Sequence, residues 1–203
     1  EQNIIAEGRL LNPIITWNGY ILDGHTRYRI LKKHGFIKFE VEEIQLANKY
    51  EALAWICKNQ LGRRNLSPER KKFLLGKEYE STKLAVGGQP GNCNKINRCD
   101  QNDHIDSEKR TCERIAVEHG VGSATVRRAE KYSRGIDAAE EAVPGAQEEI
   151  LTGHIKATDE QIVALASIPK EECPAILEEL KKKKSDRDDT VLERLKPNRP
   201  PPK

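Results

Sequence analysis

Several kinds of residue and segment are scarce in this 203-residue chain, and each scarcity argues against a class of protein. Aromatic residues make up only 5% of the chain, so a core must rest mainly on aliphatic side chains. No segment has the roughly 20 consecutive apolar residues of a membrane-spanning helix, and no signal-peptide pattern opens the sequence. We therefore expect no membrane partner and a cytoplasmic location. Because the chain contains no methionine, not even an initiator, we also expect the natural N-terminus to lie upstream.

The five cysteines are irregularly spaced and do not form the pattern of a disulfide framework. Cys93, Cys99, His104 and Cys112 could in principle supply four zinc ligands. They lack the close Cys-x-x-Cys pair of recognisable zinc sites, so we interpret the cysteines as free thiols and expect no metal site.

Charge is unevenly distributed along a hydrophilic chain that has 36% hydrophobic and 33% charged residues. Residues 58–77 carry a net charge of +6 and residues 108–134 carry +3, whereas residues 137–180 carry −9. The two basic segments suit a polyanion. The acidic segment is expected to face away from that polyanion, toward a protein partner.

The stretch 16–30 predicts a hairpin followed by a helix. Asn18-Gly19 is a two-residue hairpin signal, because both central residues of a type I′ turn need positive φ angles. Asp23-Gly24 ends the second strand, and a helical pattern begins at His25. The first turn of such a helix, with Arg27 in it, can hold a phosphate group. A plain strand-to-helix connection explains the same residues.

Further elements follow this helix. Ile37, Phe39 and Val41 alternate with charged residues, which predicts a strand with one buried face. A helix is predicted over 49–60. Ser67-Pro68 begins another helix, with serine as N-cap and proline at the first helical position.

Two of these stretches resemble a known family. Gly24-His25-Thr26-Arg27 is similar to the Gly-x-x-Arg phosphate-binding box of the ParB/sulfiredoxin superfamily, and residues 58–69 resemble its second box, Glu-Asn-x-x-Arg-x-x-Leu-x-Pro-x-Glu. The resemblance implies a small mixed α/β domain that binds a nucleotide, CTP or another, together with Mg²⁺. The nucleotide-binding residues that it implies are Gly24, His25, Thr26, Arg27, Asn59, Arg63 and Arg64.

The chain departs from the family pattern at two positions. His25 stands where ParB clamps have an acidic residue, and Lys58 stands where the second box starts with glutamate. Both changes bear on metal binding and on CTP hydrolysis, so hydrolysis is left open and no catalytic residue is assigned. His25 also stands in place of the reactive cysteine of sulfiredoxins, so sulfinic-acid repair is not supported.

A second informative stretch, residues 111–132, has the pattern of a helix-turn-helix. The pattern predicts that Gly120 makes the turn, that the Val121 side chain fills the space inside it and that Ser123 caps the second helix. The residues predicted to pack between the helices are Ile115, Ala116, Val126 and Ala129. In DNA-binding proteins with this motif, the outer side of the second helix enters the major groove. The DNA-binding residues predicted on that side are Ser123, Ala124, Thr125, Arg127, Arg128 and Lys131. A helical hairpin with a solvated basic face is the alternative.

The whole pattern predicts an α+β fold in which a small ParB/sulfiredoxin-like mixed domain precedes an all-α helix-turn-helix domain. The predicted divisions are a nucleotide-binding domain at 1–86, a flexible linker at 87–107, a DNA-binding helical domain at 108–180 and a disordered basic tail at 181–203. Residues 150–156 resemble the segment that follows the helix-turn-helix in ParB-like chains. By the same resemblance we expect a homodimer.

Three functions follow from these features. The first is a sequence-specific binder of double-stranded DNA, gated by a nucleotide, which acts in plasmid, phage or chromosome partition or in transcriptional control. The second is a nucleotide-dependent enzyme of the same superfamily, a small-molecule kinase or nucleoside triphosphatase, with Asp23 or His25 as base. The third is an adaptor that keeps the fold without turnover.

Overall fold

The computed structural model of the chain describes residues 1–86, 111–182 and 184–195. Within these residues the fold is α+β and rich in helix, with one three-stranded sheet, which confirms the predicted class. The finer ParB/sulfiredoxin-like architecture stays a prediction. The predicted linker at 87–107, which includes Cys93, Cys99 and His104, lies outside the described residues. Each helix in the described ranges is too short or too polar to span a lipid bilayer.

The helices are numbered in chain order, and two of them, α4 and α6, are much longer than the rest. Their bounds are α1 Gln2–Glu7, α2 His25–Lys33, α3 Lys49–Leu61, α4 Pro68–Ala85, α5 Thr111–Glu118, α6 Ser123–Ala142, α7 Ala146–Leu151, α8 Asp159–Leu165, α9 Cys173–Lys181 and α10 Asp189–Leu192.

The sheet forms around the predicted hairpin. Strand β1 (Ile14–Trp17) pairs antiparallel with β2 (Tyr20–Asp23) and parallel with β3 (Val41–Glu43), so β1 is central. Asn18 and Gly19 take positive φ angles of 47° and 79° in the connecting turn, as the sequence predicts.

The third strand is shorter and more exposed than its sequence pattern predicts. Of the alternating residues, only Ile37 is buried, whereas Phe39 is 51% exposed and Val41 is 55% exposed. Strand β3 lies at an edge of the sheet, and all three of its residues are exposed. The core of this region is small and consists of Ile14, Ile30, Leu31 and Ile37.

Helix α4 packs against both the N-terminal region and the C-terminal helices. Ser67 caps it as predicted, because the Ser67 hydroxyl accepts a hydrogen bond from the Arg70 N–H at 3.2 Å. Leu75 belongs to the core of the helix-turn-helix, and Phe73 belongs to the larger C-terminal core. The predicted boundary at residue 86 therefore separates α4 from the helices on which it packs.

The C-terminal helices surround the largest core of the described chain. Tyr132, Ile136, Leu165 and Leu180 are almost completely buried there. Thr158 begins α8 with the predicted capping box, since its hydroxyl accepts from the Gln161 N–H and the Gln161 side chain accepts from the Thr158 N–H.

Residues 184–195 differ from the predicted disordered tail. They form α10 and two short 3₁₀ helices, and Leu192 and Leu195 are buried in the C-terminal core. The Arg187 guanidinium donates hydrogen bonds to the carbonyl oxygens of Lys156 and Leu180, at 2.7 and 2.6 Å. Leu192, Leu195 and Arg187 thus hold this segment against the C-terminal core, although the run of lysines before it led us to expect disorder.

Candidate nucleic-acid interface and anion site

The helix-turn-helix pattern corresponds to two consecutive helices, α5 and α6, joined by a tight turn. Gly120 in that turn has a φ angle of +64°, which glycine adopts with little strain. The Val121 N–H donates to the carbonyl oxygen of Ala116 at 2.9 Å and closes the turn. Gly122, rather than Ser123, is the N-cap of α6, and no side chain caps that helix.

The packed side of the motif agrees with the pattern. Ile115 and Ala116 of α5 and Val126 and Ala129 of α6 are all at most 5% exposed. Val121 was predicted to plug the turn, but 37% of it is exposed. The Leu75 side chain of α4 joins this core instead, so a third helix completes the packing.

The outer side of α6 is exposed over its first half. Ala124, Thr125, Arg127, Arg128 and Lys131 are exposed, and Ser123 is partly exposed. Arg128 and Lys131 form no ion pair within the described residues. Arg127 forms none there either, but its guanidinium donates a hydrogen bond to the Cys112 sulfur at 3.6 Å. Three cations are therefore free to meet an anion on one side of the helix.

A groove of about 1120 Å³ runs beside this surface. Thr125, Arg128 and Lys131 of α6 line it, together with Val163 and Ile168. The groove places basic side chains at the edge of a mainly apolar depression.

The predicted phosphate box lies at the N-terminus of α2. Gly24 is the N-cap, with a φ angle of +99°, and no side chain caps the helix. The N–H groups in the first turn of an α-helix lack acceptors within the helix, so those of α2 are available to an anion. His25 and Thr26 are exposed at this position, and Arg27 is partly buried.

Asp23 brings together two of the predicted arginines. Its carboxylate accepts from Arg27 Nη2 at 2.7 Å and from Arg63 Nη2 at 3.2 Å. Arg27 also donates to the carbonyl oxygen of Asn12 at 2.9 Å. From the sequence, Asp23 was expected to end a strand or to act as a base, whereas here its carboxylate holds both guanidinium groups. This use makes Asp23 less available as a base.

Asn59 and Arg64 are exposed and are not joined to the Gly24 turn by any hydrogen bond or ion pair of the described chain. The structure thus joins Arg63 to the turn and leaves Asn59 and Arg64 as predicted contacts only.

Much of the basic charge on α4 is neutralised within the protein. Arg70 forms an ion pair with Glu148, Lys72 with Asp159 at 2.5 Å and Lys77 with Asp137 at 2.8 Å. The sequence showed a basic segment and an acidic segment but not their pairing, because the partners lie 60 to 87 residues apart. The acidic C-terminal helices therefore already bind a basic surface of the same chain.

A contact between Glu78 and His119, behind the turn, was not predicted from the sequence. Glu78 of α4 is only 3% exposed, and its Oε2 atom lies 2.8 Å from Nε2 of His119. Burial raises the pKa of the Glu78 carboxyl, although His119 opposes the rise. Burial and the charge of Glu78 together raise the pKa of the Cys57 thiol to about 11. The only indication of this contact in the sequence is that Glu78 stands at a position of α4 where the helical periodicity places apolar residues.

No protein-family model, no curated protein and no solved structure matches this chain.

Proposed function

We propose that the protein binds double-stranded DNA through the outer side of α6. The observation that carries the proposal is the tight α5–α6 turn at Gly120, which leaves the first half of α6 exposed while its other side packs on α4 and α5. The N-terminal half of the second helix is the part that meets base edges in helix-turn-helix proteins. The predicted contacts are Ser123, Ala124, Thr125, Arg127, Arg128 and Lys131.

The charge of this surface supports the proposal. Arg127, Arg128 and Lys131 lie on a helix whose neighbouring acid, Glu130, is 8% exposed and paired with Lys83. An arginine fork can bind guanine or phosphate oxygens. Phosphate contacts make affinity fall with salt, by a slope of about −0.9 per contact in a plot of log K against log salt concentration.

A selection from random duplexes followed by fluorescence anisotropy tests the proposal. We expect enrichment of one motif, and binding that weakens steeply with salt. Arg127→Ala with Arg128→Ala should weaken binding at least about tenfold, because one lost base contact costs about 1–3 kcal/mol. Arg29→Ala is the matched control, since Arg29 is exposed on α2 without an ion pair in the described chain.

Two results would contradict DNA binding. One is the absence of any duplex that binds in low salt. The other is equal affinity of the double variant and the Arg29→Ala control, with both proteins folded by circular dichroism.

A second candidate function is nucleotide binding at the Gly24 turn, which follows from the stated resemblance to the ParB/sulfiredoxin superfamily. One observation favours it: Arg63 reaches Asp23 at the start of α2, so two guanidinium groups lie beside free helix N–H groups. Arginine pairs and helix N-termini are both suited to phosphate oxygens. DNA binding gated by the nucleotide is the combined form of this proposal.

Titration with labelled CTP, ATP and GTP, with and without Mg²⁺, tests the second function. Arg27→Ala should abolish binding, whereas Arg29→Ala, on the same helix, should keep it. No binding of any of the three nucleotides would contradict this function and leave DNA binding untouched. Transfer of phosphate to a small hydroxyl compound, independent of DNA, would favour the kinase alternative.

A further inference from the structure

Glu78, Glu118 and His119 lie close together where α4 meets the end of α5. One carboxylate oxygen of each glutamate and one ring nitrogen of the histidine lie within 4.8 Å of one another. No other group of three or more such side chains comes this close in residues 1–86, 111–182 and 184–195.

We propose that these three side chains bind one divalent transition-metal ion, with zinc as the best match. Imidazole nitrogen and carboxylate oxygen are common zinc ligands, and three protein ligands leave a fourth position for water. The proposal goes beyond DNA binding and does not depend on it.

An ion would have to adjust the three ligand atoms, which now lie within 4.8 Å of one another, to a closer common spacing. In a tetrahedral zinc site, with bonds of about 2.0–2.1 Å, neighbouring ligand atoms are about 3.3 Å apart. His119 Nε2 and Glu78 Oε2 are now 2.8 Å apart, so a small separation would admit an ion between them. Their present contact is a hydrogen bond, in which the ion would replace the proton.

The charges also fit a cation. Glu78 is buried, Glu118 is exposed, and Lys58 forms an ion pair with Glu118. With a neutral imidazole, two carboxylates are then balanced by a single ammonium group. A carboxylate in a low-dielectric site is costly unless a cation or hydrogen bonds compensate it. Since a carboxylate has two oxygens, Glu118 can keep Lys58 on one and offer the other to the ion.

The position of the ligands connects two elements. Glu78 belongs to α4, whereas Glu118 ends α5 and His119 immediately precedes the glycine of the turn. An ion held by all three would fix the end of α5 against α4. Metal binding would therefore stabilise the helix-turn-helix in the arrangement described above.

Cobalt(II) is the probe, because its visible absorption reports coordination geometry and its charge-transfer bands report thiolate ligands. The full chain is used with Cys93→Ser and Cys99→Ser, so that these thiols cannot hold the ion. We expect one cobalt ion per chain, no thiolate charge-transfer band, and displacement by zinc. Zinc should also raise the melting temperature of this protein.

Variants locate the ion. His119→Ala and Glu118→Gln should each weaken cobalt binding more than about tenfold, since even the loss of an outer-shell partner costs about 10–100-fold. Glu118→Gln is the safer test of the two, because residue 118 is exposed and glutamine removes only the charge. The matched controls are His154→Ala, an exposed histidine, and Glu113→Gln, which is on the same helix and outside the cluster.

Three results would overturn the metal site. The first is that the cysteine-substituted chain binds no cobalt. The second is an unchanged affinity for cobalt in both Glu118→Gln and His119→Ala, and the third is an equal loss of cobalt affinity in the two controls. Circular dichroism of every variant separates loss of the site from loss of the fold.

Discussion

Gly76 of α4 lies directly against the backbone of Ala129 of α6. A Cβ atom added at Gly76 would be 2.2 Å from the Ala129 carbonyl oxygen and 2.7 Å from the Ser133 hydroxyl oxygen. A second crossing is equally close, because a Cβ atom at Gly135 would be 1.9 Å from the carbonyl oxygen of Ile162 on α8. Helix α6 is therefore in backbone contact with α4 on one side and α8 on the other.

Gly76→Ala should destabilise the protein because backbone, not a flexible side chain, occupies the space of the new methyl group. Overpacking of this kind costs about 1–3 kcal/mol, and sometimes more. Urea denaturation followed by circular dichroism measures the change in the free energy of unfolding. Gly62→Ala is the control, since Gly62 has a helical φ of −68° and its Cβ would be 3.5 Å from the nearest atom. An unchanged urea midpoint for Gly76→Ala would show that the two helices are not this close.

Tyr132 should make the protein less stable at high pH. Burial raises the pKa of Tyr132 from 10.0 to about 12, so the folded state keeps a proton that the unfolded state loses first. Its contribution to stability is complete below pH 10 and is lost as pH rises through 12. The loss approaches about 2–3 kcal/mol, from about 1.4 kcal/mol per pKa unit.

Tyr132→Phe isolates this effect because it removes the hydroxyl and keeps the buried ring. We expect the difference in unfolding free energy between the wild type and Tyr132→Phe to shift against the wild type between pH 9 and pH 12. Urea denaturation at both pH values measures it. A difference that stays constant with pH would contradict the raised pKa.

Lys72 should matter more to stability than its neighbour Lys71. The Lys72 ammonium is 2.5 Å from the Asp159 carboxylate and 4.7 Å from the centroid of the Tyr132 ring. Lys72→Ala removes both interactions. We expect it to lower the free energy of unfolding by about 1 kcal/mol, because the Lys72 and Asp159 side chains are partly open to solvent. Lys71 is exposed and forms no ion pair in the described chain, so Lys71→Ala should change stability by less than about 0.5 kcal/mol. Equal unfolding free energies for the two variants would argue against a stabilising contact of Lys72 with Asp159 and Tyr132.

Asp23→Asn should raise the affinity of the α2 N-terminus for anions. The substitution removes the carboxylate that Arg27 and Arg63 now share, so both guanidinium groups become available. We expect inorganic pyrophosphate to bind about fivefold more tightly, which corresponds to roughly 1 kcal/mol for a partly exposed ion pair. Isothermal titration calorimetry measures the change, with Glu7→Gln as an exposed control. Weaker binding by Asp23→Asn would instead indicate that the carboxylate takes part in the site.

Features set by local chemistry were predictable from the sequence. The Asn18-Gly19 turn, the Ser67 cap and the Thr158 capping box depend on residues within a few positions of one another. The buried face of the helix-turn-helix also follows from residue spacing alone. The turn and the two caps have the same physical cause in a peptide as in a folded protein, whereas burial of the helix-turn-helix face also needs Leu75 of α4.

Features that depend on distant partners were not predictable. The close approach of Gly76 to Ala129 and the hydrogen bond between Glu78 and His119 join residues more than 40 positions apart. No periodicity in one segment reports such a partner. For the same reason the sequence could place Arg27 and Arg63 in one site only through resemblance, and it could not show that Asp23 holds them.

The dual packing of α4 determines how the protein can be divided experimentally. A fragment that starts at residue 108, the predicted domain boundary, would lack Leu75 and Phe73 and would expose the faces of α5 and α6 that α4 covers. Such a fragment should aggregate or fold poorly, and its failure to bind DNA would say nothing about the role of α6. A piece suited to binding studies also has to keep α3, because Leu61 of α3 packs against the same core, and it therefore begins near Asn48, the N-cap of α3. Separating α4 from α5 and α6 would thus split one folding unit.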